Sequence, residues 1–121
     1  MSSGPGVFRL ARAIPPARAR ELVMTGDRLS AAEALQLGLV NRVVPAEEVL
    51  ATAQQLAARI CQNAPLAVRE SIAIARQATD LSDDEAWRLS DAAAVRVMRT
   101  EDAQEGPRAF ADKREPVWTG R

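Results

Sequence analysis

The sequence predicts a mainly α-helical protein with one short strand, and three observations carry that prediction. Alanine is abundant, histidine is absent and aromatic residues make up only 3% of the chain, a composition that favours closely packed helices. Two serines stand three residues before a glutamate, at Ser30 and Ser82, and each pair fits the capping box that opens a helix. Apolar residues also recur at helical spacing between Ala46 and Cys61. The length fits one domain.

The chain is predicted to fall into two segments. We expect residues 1–15 to be frayed or degraded and residues 16–121 to form the helical region. Pro16 opens a helix over residues 17–25, because proline is tolerated in a first turn. Gly26 then ends this helix, since a left-handed backbone is cheapest for a residue without a Cβ.

The segment after Gly26 predicts a short helix followed by a short strand. Ser30 caps the helix, and Gly38 ends it. Leu39–Val44 is rich in β-branched residues and stops at Pro45, so it is predicted to be the strand. Because a lone strand leaves its edges unpaired, it requires a further sheet, a partner chain or a pairing no larger than a bridge.

The second half of the chain predicts four further helices. The clearest runs from Ala46 to Cys61, and Asn63 is expected to cap the next one. Ser82 and Thr100 start the last two helices, the second of which ends near Asp112. One apolar stripe marks the first of these helices, formed by Val49, Ala53, Leu56, Ala57 and Ile60.

Charge and cysteine content exclude several classes of partner. The chain has 16 basic and 16 acidic residues, so neither nucleic acid nor an anionic membrane is expected to attract it. No segment is apolar over the length of a bilayer, and we expect no signal peptide at Met1. Cys61 is the single cysteine, so it has no partner for an internal disulfide; we expect a small buried hydrophobe and a cytoplasmic location. Because alanine contributes little apolar area, a partner surface is expected to complete the core.

The residues that could carry chemistry are few. Without histidine there is no histidine base or metal ligand, and one cysteine cannot build a zinc cluster. Most acidic clusters lie where helices begin, which explains them without catalysis. Glu70 is either a buried acid or a surface residue paired with Arg69 or Arg76. No metal site and no catalytic residue are therefore predicted.

Three motifs, taken in order, resemble the enoyl-CoA hydratase/isomerase family, also called the crotonase family. The first is GDRLSAAEALQLGLVNRVVP over residues 26–45. The second is NAPLAV over residues 63–68, and the third is EDAQEGPRAFADKREP over residues 101–116. A weaker match precedes them, in which Arg9, Leu10 and Arg12 keep the family's places while Pro5 and Gly6 replace two glycines. The resemblance covers only the C-terminal half of the family's chain.

Phe110 and Lys113 are the candidate binding residues. Three positions apart near the end of a helix, they are expected on one face, where they are either a core phenylalanine and a solvated lysine or a platform for a purine and a phosphate. The resemblance favours the second reading, because the family's matching phenylalanine and lysine contribute to the CoA pocket, commonly that of a neighbouring subunit. The family's tail aromatic corresponds to Trp118.

The resemblance implies the helical C-terminal part of the crotonase fold, which supplies trimer contacts and caps the acyl-CoA site, without the N-terminal ββα-spiral core. The family hydrates or isomerises acyl-CoA without a prosthetic group, using an oxyanion hole and carboxylates that precede the segment matched by Gly6–Leu10. This chain alone is therefore predicted to be inactive, to bind a CoA thioester weakly or not at all, and to form a trimer-based homo-oligomer. The alternatives are a non-catalytic assembly module and a stand-alone helical protein.

Overall fold

The protein is described from a computed structural model, which covers residues 6–121, and its architecture is helical. The helices are α1 (Gly6–Ala13), α2 (Pro16–Thr25), α3 (Ala31–Gln36), α4 (Val49–Cys61), α5 (Pro65–Ala75), α6 (Asp83–Met98) and α7 (Glu101–Ala111). A short 3-10 turn over Ala46–Glu48 leads into α4. The chain divides into two compact units, one ending at Val49 and the other spanning Leu50–Arg121. Between residues 6 and 121, no helix is long and apolar enough to cross a membrane.

The predicted helix signals of the first unit are confirmed. Gly26 has a φ of 71° and donates its N–H to the Leu22 carbonyl, which ends α2. Ser30 and Glu33 form the capping box, with the Glu33 amide 3.2 Å from the serine Oγ and the Ser30 amide 3.0 Å from the carboxylate. These local hydrogen bonds fix where α2 stops and α3 starts.

The N-terminal residues differ from the prediction. Residues 6–13 are helical rather than frayed, because α1 packs on α2 and Leu10 adds to a small core around Ile14, Ala19 and Leu22. The boundary between residues 1–15 and 16–121 stays a prediction. Pro5 lies outside the described residues.

The predicted strand at Leu39–Val44 was wrong. No strand occurs in the described range, and this run is turn and loop. The amides of Leu39 and Val40 donate instead to the carbonyl of Ala34, at 2.9 and 3.3 Å. A strand needs a second strand to accept its hydrogen bonds, and the end of α3 accepts the first of them here.

The loop between α4 and α5 also corrects the sequence analysis. Asn63 does not cap α5, whose N-cap is Ala64 without a side-chain hydrogen bond. The Asn63 side-chain amide donates to the carbonyls of Arg59 and Ile60, at 3.1 and 3.3 Å. It therefore satisfies the end of α4, where free carbonyls are available. Cys61, expected to be buried, is exposed.

The second unit packs α5 against α6 and α6 against α7. Its most buried apolar side chains are alanines, Ala93 at 4% and Ala109 at 2% exposure. Glu70 on α5 forms an ion pair with Arg96 on α6, with 2.6 Å between the carboxylate Oε2 and the guanidinium Nη2. It does not pair with Arg69 or Arg76, the partners that the sequence analysis proposed. The Ser82 capping box that opens α6 is confirmed. The buried alanines of this unit let the helices approach closely, but each of them buries little apolar area.

Large apolar side chains remain exposed, as expected of a chain whose core needs a partner. The predicted stripe on α4 is helical but open to solvent at Val49 and Ile60. On α6, Trp87 and Met98 are 69% and 72% exposed. Large exposed apolar side chains are typical of an interaction face where they lie together on one surface.

Candidate functional site

The ten residues after α7 fold back along that helix. Thr100 caps α7 as predicted, its Oγ1 accepting the Ala103 N–H at 3.2 Å. From the far end of α7 the tail returns to its start, where the Glu101 N–H donates to the Arg121 carbonyl at 2.7 Å. The tail therefore runs antiparallel to the helix that precedes it.

Asp102 holds the end of this tail. Its side chain is buried at 3% exposure, and its carboxylate accepts the N–H of Thr119 at 2.7 Å and of Gly120 at 3.0 Å. The Thr119 hydroxyl donates to the same carboxylate at 3.2 Å. A buried carboxylate is tolerated only with such donors, so the sequence analysis missed a tertiary role by assigning Asp102 to the helix start alone.

Trp118 connects the tail to the loop between α4 and α5. The indole N–H donates to the Gln62 carbonyl at 2.9 Å, and the ring lies over Gly106, where a Cβ would sit 3.6 Å from it. Half-buried tryptophan gains apolar contact while its N–H keeps a partner. The tail aromatic thus binds within its own unit.

Glu105 fixes the turn at the other end of the tail. Its carboxylate accepts two bonds from the Arg114 guanidinium, at 2.6 and 3.0 Å, and one from the Val117 N–H at 2.8 Å. The bond from Arg114, joined by that from Val117, lowers the pKa of Glu105 to about 2. The same contact raises the pKa of Arg114. Two-point contacts between arginine and carboxylate are strong and directional.

Phe110 and Lys113 lie at this turn. Phe110 is in the last turn of α7 and is 87% exposed, so it is not a core residue. Lys113 is exposed and lies beyond the helix with a φ of 53°, so the expectation that both share one helical face was wrong. They are still adjacent, since the Lys113 N–H donates to the Phe110 carbonyl at 3.2 Å.

The arrangement places an exposed aromatic side chain and an exposed lysine at the same turn, where a backbone hydrogen bond joins the two residues. Lys113 is the only lysine in the sequence, and it has no ion pair with any residue from 6 to 121. A flat ring can stack on Phe110 while an anionic group binds the ammonium. No three histidine, cysteine or carboxylate side chains within that range are grouped to hold a metal ion.

The first unit contains a separate apolar cavity that the sequence did not reveal. It measures about 650 Å³ and is lined mainly by α1, α2 and the loops that follow, including Leu10, Leu22, Leu29 and Leu39. Asp27 is the carboxylate in its lining. The sequence analysis did not predict it, because a gap between elements has no signal in a one-dimensional pattern.

Comparison with known proteins agrees with the helical architecture. The family model for enoyl-CoA hydratase/isomerase matches residues 1–121. Carnitinyl-CoA dehydratases from Salmonella arizonae and Salmonella typhimurium are 46% and 44% identical, over 95% and 96% of this chain. The chain spans about half the length of these curated relatives, 46% in both cases.

Solved structures give the same result. An enoyl-CoA hydratase/isomerase from Mycobacterium paratuberculosis superposes with a TM-score of 0.93 at 36% identity, covering 100% of this chain and 49% of that one. An enoyl-CoA hydratase from Mycobacterium marinum also gives a TM-score of 0.93, at 39% identity over 100% of this chain and 48% of that one. The match therefore includes the whole helical region.

The Asp102 contacts predict the stability of the second unit. Asp102→Asn is expected to lower the free energy of unfolding by about 2 kcal/mol, because an amide nitrogen replaces one acceptor oxygen at buried donors. Denaturant unfolding measures this loss, and limited proteolysis is expected to cut the tail of the variant first. Asp91→Asn, at an exposed position of α6, is the control and should leave both unchanged. Equal stability of the two variants would contradict the role of Asp102.

The lowered pKa of Glu105 predicts a specific pH dependence. Because the folded pKa is about 2, below the ordinary value of a glutamate, charged Glu105 stabilises the fold above about pH 4.5 and loses that effect as pH falls towards 2. The stability difference between wild type and Glu105→Gln should be constant at neutral pH and shrink between about pH 4.5 and 2. Urea unfolding across this range measures it, with Glu115→Gln as control. A difference independent of pH would contradict the assignment.

Proposed function

Because this chain belongs to the enoyl-CoA hydratase/isomerase family, we propose that it forms the helical part of a protein acting on acyl-CoA thioesters, in which it supplies contacts to CoA. The exposed pair of Phe110 and Lys113 carries the proposal. Phe110 stacks on the adenine, and Lys113 binds a phosphate of CoA. Relatives named carnitinyl-CoA dehydratase and enoyl-CoA hydratase support the substrate class.

The chemistry of the family is proposed to require groups beyond those of this chain. The arrangement at Phe110 and Lys113 contains an aromatic ring and a cation, which bind but do not move a proton at a carbon. The 121-residue chain, assayed alone, should therefore not hydrate or isomerise a 2-enoyl-CoA. CoA binding, rather than turnover, is the property that tests the proposed role.

A second candidate function is assembly, and the exposed apolar surface of α6 favours it. Trp87, Ala94 and Met98 follow one face of that helix, and Trp87 and Met98 are 69% and 72% exposed. Burying such a face against copies of the chain would complete a core built mainly of alanine. We propose a homo-oligomer built on trimers. This role is compatible with CoA binding and needs no turnover.

The single lysine makes CoA binding directly measurable. An amine-reactive ester should acylate Lys113 and the N-terminal amine, and free CoA should slow only the reaction at Lys113. Mass spectrometry of the peptides measures both rates. Phe110→Ala should weaken this protection about tenfold, because stacking on a base contributes about 1–3 kcal/mol. Phe8→Ala removes the other phenylalanine, itself 53% exposed, and should retain protection. Equal rates at Lys113 with and without CoA would reject the binding role.

Light scattering tests the assembly role independently. The chain is expected to have three times the single-chain mass, or a multiple of that, and Met98→Glu should shift it to the single-chain mass by placing a charge on the apolar face. Ala92→Glu introduces the same charge on another exposed face of α6 and should leave the mass unchanged. A wild-type protein at the single-chain mass would exclude assembly through this face.

A further inference from the structure

Lys113 has an uncommon backbone conformation. Of the non-glycine residues that the structure describes, it has the one positive φ, 53°. In this region the Cβ approaches the following carbonyl oxygen, a cost that glycine avoids. Strain of this kind persists only where surrounding contacts impose it, and such positions cluster at functional sites. The only lysine of the chain thus stands where glycine would be more stable.

The contacts that impose this conformation lie on either side of Lys113. Its own N–H donates to the Phe110 carbonyl, and the Arg114 N–H reaches back to the Ala109 carbonyl at 3.0 Å. Beyond the backbone, the Arg114 guanidinium is held by both carboxylate oxygens of Glu105, in the middle of α7. Arg114 cannot swing away from the helix without breaking this two-point contact.

We propose that Glu105 is a positioning residue for Lys113: by holding Arg114, it keeps Lys113 in the left-handed conformation, where its ammonium is free to bind a phosphate of CoA. This inference rests on the proposed function. Glu105 itself does not touch the ligand, because its oxygens are occupied by Arg114 and the Val117 N–H. If the turn relaxed, Lys113 would lose its left-handed backbone and the hydrogen bond to the Phe110 carbonyl, which together set where its side chain leaves the turn.

The charges around the turn are consistent with this role. Glu105 is ionised at neutral pH, as an ordinary glutamate is, and the bonds from Arg114 and the Val117 N–H lower its pKa further, so the contact persists into the acidic range. Asp112 also accepts a bond from Arg114, at 3.3 Å. Arg114 is therefore neutralised by carboxylates of its own chain. Lys113, which has no such partner among the described residues, is the group left for an anionic ligand.

The conformational part of the proposal can be tested without any ligand. The three-bond coupling between the amide and α protons, with the backbone chemical shifts, reports the sign of φ at Lys113 by nuclear magnetic resonance. Wild type and Glu115→Gln should show positive φ, whereas Glu105→Gln should not. Arg114→Lys, which keeps the charge and loses the two-point contact, serves as a second variant should Glu105→Gln fail to fold. A positive φ retained in a folded variant would overturn the proposal.

A double-mutant cycle tests the link to CoA. Titration calorimetry with CoA should show Lys113→Gln and Glu105→Gln each weakening affinity about threefold to tenfold, as for a single exposed charge contact. Glu105→Gln should cause no further loss once Lys113 is Gln, since coupled residues are not additive. Pantetheine, which lacks the phosphates, should show no effect of either change. Additive losses of affinity in the double variant would overturn the positioning role of Glu105. A wild-type protein that binds no CoA would instead reject the proposed function. In that case the φ measurement alone would test whether Glu105 sets the conformation of Lys113.

Discussion

The buried carboxylate of Asp102 is the constraint on which the C-terminal region depends. Three donors of the tail converge on it, and no other charged or polar side chain of the described residues is buried. With the tail end fixed there, Trp118 reaches the loop before α5 and Glu105 holds the turn after α7. The buried carboxylate thus fixes the end of the tail at the start of α7, while Glu105 and Trp118 fix the turn after α7 and the neighbouring loop.

The features that the sequence predicts well are those that depend on near neighbours. Capping boxes at Ser30 and Ser82 and the stop at Gly26 involve residues at most a few positions apart, so a short window contains their whole cause. The strand failed because its partners must come from elsewhere in space. Asn63 failed because it lies between two helix ends, and a sequence does not say which one it satisfies.

The candidate site shows the same contrast between features with local causes and features with long-range causes. Phe110 and Lys113 could be chosen from residue type and resemblance, but their geometry could not, because it depends on α7 ending at Ala111 and on a strained Lys113. Asp102 and Glu105 were hidden for a different reason. Asp102 already had a sufficient local explanation at the helix N-terminus, which concealed its long-range contact, and the sequence analysis assigned Glu105 no contact at all. The tail after α7 was the signal that could have revealed them, since Arg114 and Thr119 supply the donors to these carboxylates.

The two tryptophans give the folded-back tail an optical consequence. Trp118 is half-buried against Gly106 with its indole N–H bonded, while Trp87 is 69% exposed on α6. Indole emission depends on the polarity around the ring, and only Trp118 changes its surroundings if the tail leaves the helix. The chain has no tyrosine to add to the signal. Its intrinsic fluorescence therefore reports whether the tail is packed against α7.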